Sequence, residues 1–266
     1  MPANLQALTN GKQTVNRVEN EYRRQVWQVN HAVARSYVVA PYTSTISKVG
    51  TKDVGMYLLT DDPEIVKKQS EQIVEVFEIL EESFGAYPYD TFSLAEIPDG
   101  SSDYFEASSE QGFIVAGSSY FRESFGLSLF SHEAGHAWWG NKFACTGPGR
   151  ALCSEGLAQV GALLTYKELF GDSTMRDLMD VNAEGFWPVG STRGYFAMWR
   201  SGYDQSISTI EYSWKDHRIV LTKGQWFWLM LRDVVGEQKF HSILAKLATI
   251  GERFTLHQLE TFFQRI

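Results

Sequence analysis

His132-Glu-Ala-Gly-His136 sets two imidazoles four residues apart with a carboxylate between them, inside a stretch whose pattern is helical. Residues four apart on a helix share a face, so both rings can reach one metal ion. Glu133, one position on from His132, can turn its carboxylate toward the water that such a site activates. Two histidines need a third protein ligand, because a catalytic zinc takes three and keeps its fourth position open. Glu155 supplies it, after 18 intervening residues, within Ser154-Glu-Gly-Leu-Ala158 at the start of the next expected helix. With this chain's own His and Glu content, the pentapeptide alone arises by chance about 0.01 times, and adding Glu at one set offset lowers that to about 0.0008. The composite pattern therefore carries the assignment. Two imidazoles and one carboxylate suit Zn²⁺, one ion per chain.

Helices are needed to present those side chains, and the pattern predicts them over residues 127–143, 152–170 with Gly171 as a stop, 219–235 with Gly236 as a stop, 238–248 and 256–265. The last opens with Thr255 and Gln258, the spacing of a capping box. Upstream, Asp61-Asp-Pro-Glu64 reads as a helix start, and Val66, Ile73, Phe77, Leu80 and Phe84 form one apolar stripe closed by Gly85. Residues 91–97 alternate as a strand, and 112–116 read as a second, more buried one. From Gln13 to about Tyr57 the chain reads as short β segments, as at the edge of something larger. Residues 172–215, aromatic and punctuated by glycine, fit no single pattern.

The 266 residues, 44% hydrophobic, can enclose a substantial core, which excludes a disordered chain. Thirty-two acidic residues against 24 basic ones, with no basic patch, argue against nucleic acid or an anionic membrane as partner. Apolar runs such as 226–231 fall short of the roughly 20 residues of a membrane-spanning helix. Residues 1–20 hold no apolar stretch of the kind a targeting signal uses, so localisation is not readable, and neither is oligomeric state. Cys145 and Cys153, eight apart, match no metal or redox spacing and are expected to be ordinary half-buried thiols.

Beyond the ligands, His132-Glu-Ala-Gly-His-Ala-Trp-Trp-Gly-Asn141 is similar to the HExxHxWxGN helix of the aminopeptidase N and leukotriene hydrolase family of zinc metallopeptidases, which are gluzincins. Ser154-Glu-Gly-Leu-Ala158 resembles that family's NEGFA segment, and Lys223-Gly224 with Met230-Leu-Arg232 its YxKG helix. Glu110-Gln-Gly-Phe-Ile-Val115 sits where the family carries GAMEN followed by a glycine-led edge strand. The resemblance implies an α+β chain, in which a thermolysin-like catalytic domain over 61–266 follows the last strands of a β domain over 1–60. It also implies a fragment or a short relative. It implies zinc on His132, His136 and Glu155, Glu133 as general base, and Glu110 with Gln111 binding a peptide substrate through its free N-terminus.

The match has departures. Ala-Ser-Ser precedes Glu110 where Gly-Ala-Met is expected, and Gln111 stands in place of asparagine. The family's transition-state tyrosine falls two residues before Lys-Gly, at Leu221, and leucine cannot donate a hydrogen bond. Tyr212, His217 and Tyr195 are possible stand-ins, and no spacing argument selects among them. Two readings follow: a metallo-aminopeptidase, or a catalytically weak or inactive metallopeptidase-like module that binds peptides or scaffolds an assembly.

Overall fold

Alternating apolar and polar residues make the N-terminal strands ladder in pairs. In the computed structural model, β1 (Gln6–Thr9) pairs antiparallel with β4 (Tyr37–Ala40), and β2 (Lys12–Glu19) with β3 (Tyr22–Gln28). The structure describes residues 1–30, 36–101, 107–122, 126–185, 194–200, 202–210, 214–247 and 251–265. By backbone proximity the chain divides into two compact units, Met1–Glu78 with Tyr87–Glu133, and Ile79–Ala86 with Ala134–Ile266.

The first unit is built on a mixed sheet. Its strands are β5 (Thr43–Val49), β6 (Lys52–Leu58), β7 (Thr91–Ile97), β8 (Ala107–Glu110) and β9 (Phe113–Gly117), in the spatial order β5-β6-β7-β9-β8. The middle three run parallel and the two outer ones antiparallel to their neighbours. The middle strands carry continuous buried runs, as strands covered on both faces require. Leu8, Tyr42, Tyr57, Ala95, Phe113 and Val115 form one core cluster of this unit. The sheet takes strands from both sides of residue 60, with Val54 opposite Phe92 and Met56 opposite Leu94. The edge strand also differs from expectation. Gly112, at φ +97°, turns the chain back on itself, so the apolar strand 113–117 lies inside and the short polar β8 takes the edge.

The parallel step from β6 to β7 needs a crossover, supplied by α1 (Pro63–Phe84). Asp62 caps it, its carboxylate accepting from the backbone N–H of Glu64 at 3.0 Å and of Ile65 at 3.4 Å. The expected stripe from Val66 to Phe84 is buried, and Gly85 closes the helix at φ +87°.

After the short α2 (Ser119–Arg122) comes α3 (Leu127–Gly135), which carries the His-Glu motif and is shorter than expected. Beyond it the N–H groups of Asn141, Lys142 and Phe143 donate to carbonyls five residues back, and Gly140 at φ +116° lies outside helical space. The chain leaves the helix in this widened turn and enters β10 (Ala144–Thr146). The helix α4 (Ala151–Phe170) follows, buried on every side from Ala151 to Thr165, the signature of a central helix. The unassigned aromatic segment contributes α5 (Asp172–Gly185), α6 (Gly194–Arg200) and a 3₁₀ turn over Ile207–Thr209. Next come α7 (Trp214–Val235) and α8 (Glu237–Leu247). The strand β11 (Arg253–Thr255), which pairs parallel with β10, leads into α9 (Leu256–Phe263), whose Thr255 and Gln258 form the expected capping box.

Two glycines let α4 and α7 approach. A Cβ on Gly224 would lie 3.0 Å from the Cα of Gly156, and one on Gly156 would lie 3.2 Å from Nε1 of Trp228. The same indole N–H donates to the Leu152 carbonyl at 3.0 Å. No helix among the described residues is long and apolar enough to cross a membrane.

Candidate metal centre

His132, the sixth residue of α3, is 2% exposed, and Glu155, the fifth of α4, is 8% exposed. With His136, which follows directly after α3, each offers one ligand atom, and the three atoms lie within 4.8 Å of one another. Sequence spacing placed the two histidines together. The approach of α4 brings in the glutamate.

The orientation of His136 decides what the group can hold. Its Nδ1 lies 2.9 Å from the carbonyl oxygen of Trp139. A carbonyl only accepts, so Nδ1 carries the hydrogen and the neutral ring keeps its lone pair on Nε2. That nitrogen faces Oε2 of Glu155 at 3.5 Å. Either a second ring proton or a metal ion satisfies this pair, and the metal is the alternative that also uses the ligand atom of His132. Metal–ligand distances of about 2.0–2.1 Å give a tetrahedral edge of about 3.3 Å, close to the separation found. The donor set and its spacing therefore fit Zn²⁺, with the Trp139 carbonyl as the outer partner that fixes the ring. Glu133 lies on α3 beside His132 and is half-buried.

Close packing holds this geometry. A Cβ on Gly135 would lie 3.0 Å from Cα and 3.1 Å from O of Ala158, both backbone atoms that cannot swing aside. One on Gly140 would come within 3.4 Å of Nδ1 of His136. Gly135→Val is expected to push α3 off α4, lowering the stability of the metal-free protein by about 1–3 kcal/mol and weakening zinc binding. A urea unfolding curve and a chelator competition read the two effects separately, and parent values in both would disprove the packing account.

Glu110 and Gln111 lie at the β8–β9 turn. The Glu110 carboxylate accepts from Oγ of Ser36 at 2.7 Å and Oγ of Ser108 at 3.4 Å. The backbone carbonyl of Gln111 accepts from the Asn10 amide at 3.0 Å. Neither Ser36 nor Asn10 was predicted from sequence, since they lie 74 and 101 residues away from these partners.

Leu221, on α7, is buried. Two residues on, the Lys223 ammonium donates to Oδ1 of Asp204 at 2.9 Å and to the Gln205 carbonyl at 2.7 Å. That bond holds the Asp204 carboxyl below its ordinary value. The Tyr195 hydroxyl donates to the other oxygen of Asp204 at 3.2 Å, so it is committed to this cluster. Tyr212 and the side chain of His217 lie outside the described residues.

The cysteines correct another expectation. Cys145 and Cys153 are joined in a disulfide, with Cα atoms 5.8 Å apart, and are buried rather than half-buried. Eight-residue spacing carried no sign of this; the turn that brings β10 back against the start of α4 does.

No protein-family profile matches the sequence, and no curated protein matches it. Solved structures do. An M1 zinc metallopeptidase from Deinococcus radiodurans is 18% identical with a TM-score of 0.74, the match covering 99% of this chain and 58% of that one. The chain has the fold of the M1 zinc metallopeptidases. A variant of that M1 enzyme bound to a Tyr-Ser-Ala substrate matches over the same shares at 18% identity with a TM-score of 0.71. A two-domain M1 zinc metallopeptidase variant bound to L-arginine matches at 17% identity with a TM-score of 0.74, again over 99% and 58% of the two chains. The chain thus spans 58% of the length of these M1 structures. The mixed α+β class predicted from the sequence is the class of this M1 fold.

Proposed function

We propose that this chain is a zinc-dependent peptidase that cleaves peptides at their N-terminus, with one zinc ion on His132, His136 and Glu155. The observation that carries the reading is the convergence of His132, His136 and Glu155, with His136 Nδ1 held by the Trp139 carbonyl and Nε2 turned toward Glu155. The M1 fold supports it, as does the tripeptide substrate bound to one solved relative.

Zinc, when bound, polarises the scissile carbonyl and makes a nearby water more acidic. The chain's own groups do the rest. Glu133 accepts the proton as water attacks and returns it to the leaving amine, the exchange that a carboxylate near neutral pH performs. Glu110, at the end of the edge strand, offers its carboxylate to the α-ammonium of the substrate. An ionised carboxylate has about four acceptor positions, so the two serine hydroxyls leave it room for that cation. Gln111 follows in the turn and helps shape this end of the site. The strands over 1–60 are proposed as the end of a β domain preceding the catalytic part, with β5 and β6 contributed to the catalytic sheet.

Glu110→Ala tests the N-terminal preference. It is expected to raise the KM for free-amine dipeptides by about tenfold or more, since a charge-assisted pair is lost, and to narrow the preference over N-acetylated ones. Equal cleavage of blocked and free peptides by the parent would refute the aminopeptidase assignment. Leu221 favours the second reading, a peptide-binding module with little turnover, because an apolar side chain gives a developing oxyanion no donor. That reading predicts tight peptide binding by zinc-loaded protein with no product.

A further inference from the structure

Among the helices that surround the ligands, α4 has an unusual beginning. Its N-cap position is Arg150, which makes no side-chain cap hydrogen bond and, as an arginine, has no acceptor to make one with. The backbone is wound tightly there: the N–H groups of Leu152 and Cys153 donate to carbonyls three residues back, and that of Ser154 reaches the Arg150 carbonyl only at 3.4 Å. By contrast, α1 starts on Asp62 and α9 on a complete capping box. The first turn of α4 is thus closed by short-range backbone bonds with no capping side chain, and Glu155 comes directly after it. In the preceding loop Gly147 and Gly149 flank Pro148 at φ +78° and +72°.

The disulfide acts at this place. Cys153 is the third residue of α4, two before Glu155, and Cys145 is the middle residue of β10, held in register opposite Phe254 of β11. We propose that the Cys145–Cys153 bridge positions the ligand Glu155, pinning the uncapped start of α4 to the β10–β11 ladder. The inference rests on the metal site proposed above. Gly156 against Gly224 fixes α4 sideways from the residue after Glu155, and the bridge fixes it from two residues before. Both cysteines are buried, at 6% and 1% exposure, which suits a permanent brace rather than a solvent-facing switch.

The test compares zinc affinity, by competition with a chromophoric chelator, in the parent and in Cys145→Ala/Cys153→Ala, which removes the bridge and leaves no thiolate to act as a ligand. The Co²⁺ d–d spectrum is recorded on both. Losing the support behind a metal ligand typically weakens binding by about 10–100-fold, and about tenfold weaker zinc binding with an altered Co²⁺ spectrum is expected well below the melting temperature. A bridge that only stabilises the fold would lower the melting temperature and leave affinity and spectrum at parent values, and that result overturns the inference. So would finding two reactive thiols in the untreated parent after denaturation. If the double variant does not fold, Cys145→Ser/Cys153→Ser breaks the bridge and likewise leaves no thiolate beside the site, and the same two readouts decide. A parent that binds no zinc at all would instead bring down the metal site itself.

Discussion

Glu133→Gln is expected to leave zinc affinity at the parent level and to lower hydrolysis of aminoacyl anilides by about 10³-fold, within the span that general acid–base catalysis supplies. Glutamine matches glutamate in shape, so α3 and both histidines keep their places, but its amide cannot take a proton from water near neutral pH. The loss should fall on kcat more than on KM, because proton transfer is an event of the transition state and not of substrate binding. Zinc content and turnover must be measured on the same preparation. Activity within a few-fold of the parent, at full zinc occupancy, would show that another group activates the water. A parent with full zinc and no turnover would favour the binding-module reading, to which Leu221 points.

His136→Ala should empty the site. Two remaining protein ligands, one imidazole and one carboxylate, hold zinc far more weakly than three, so dialysis against a mild chelator is expected to strip the variant while the parent retains its ion. The second readout is thermal. A ligand present at 1,000 times its dissociation constant stabilises the folded state by about 4 kcal/mol, which for a chain of this size corresponds to a rise in Tm on the order of 10 °C. Added zinc should raise the Tm of the parent by that order and leave the variant nearly unmoved. The Trp139 carbonyl, which receives Nδ1–H in the parent, sits in a turn that alanine can occupy, so far-ultraviolet circular dichroism should change little. Full metal occupancy in the variant would mean that His136 is not a ligand.

Local pattern alone determined the elements that rely on their own residues. The stripe from Val66 to Phe84 with Gly85 after it, the strand over 91–97, the glycine stops after α4 and α7, and the Thr255 capping box all depend on contacts within a few residues or on a single buried face. The two histidines of the candidate metal group belong to the same class through their four-residue spacing, whereas Glu155 joins them through the approach of α4. Elsewhere the outcome depended on partners far along the chain. Whether 113–117 or 107–110 forms the sheet edge turns on how the hairpin folds back onto β7, and the pairing of β6 with β7 across residue 60 turns on register between segments that α1 separates. Helix 127–135 gives way to a turn of irregular backbone bonds, and past Gly140 the chain pairs with a strand more than a hundred residues on, at 253–255. The disulfide, the hydroxyl of Ser36 on Glu110, and the turn of the His136 ring toward Trp139 are likewise tertiary facts. Spacing shows which side chains can meet, but only the packed chain sets which atom of each faces the other, and the turn of His136 Nε2 toward Glu155 is what brings the three ligand atoms within reach of one cation.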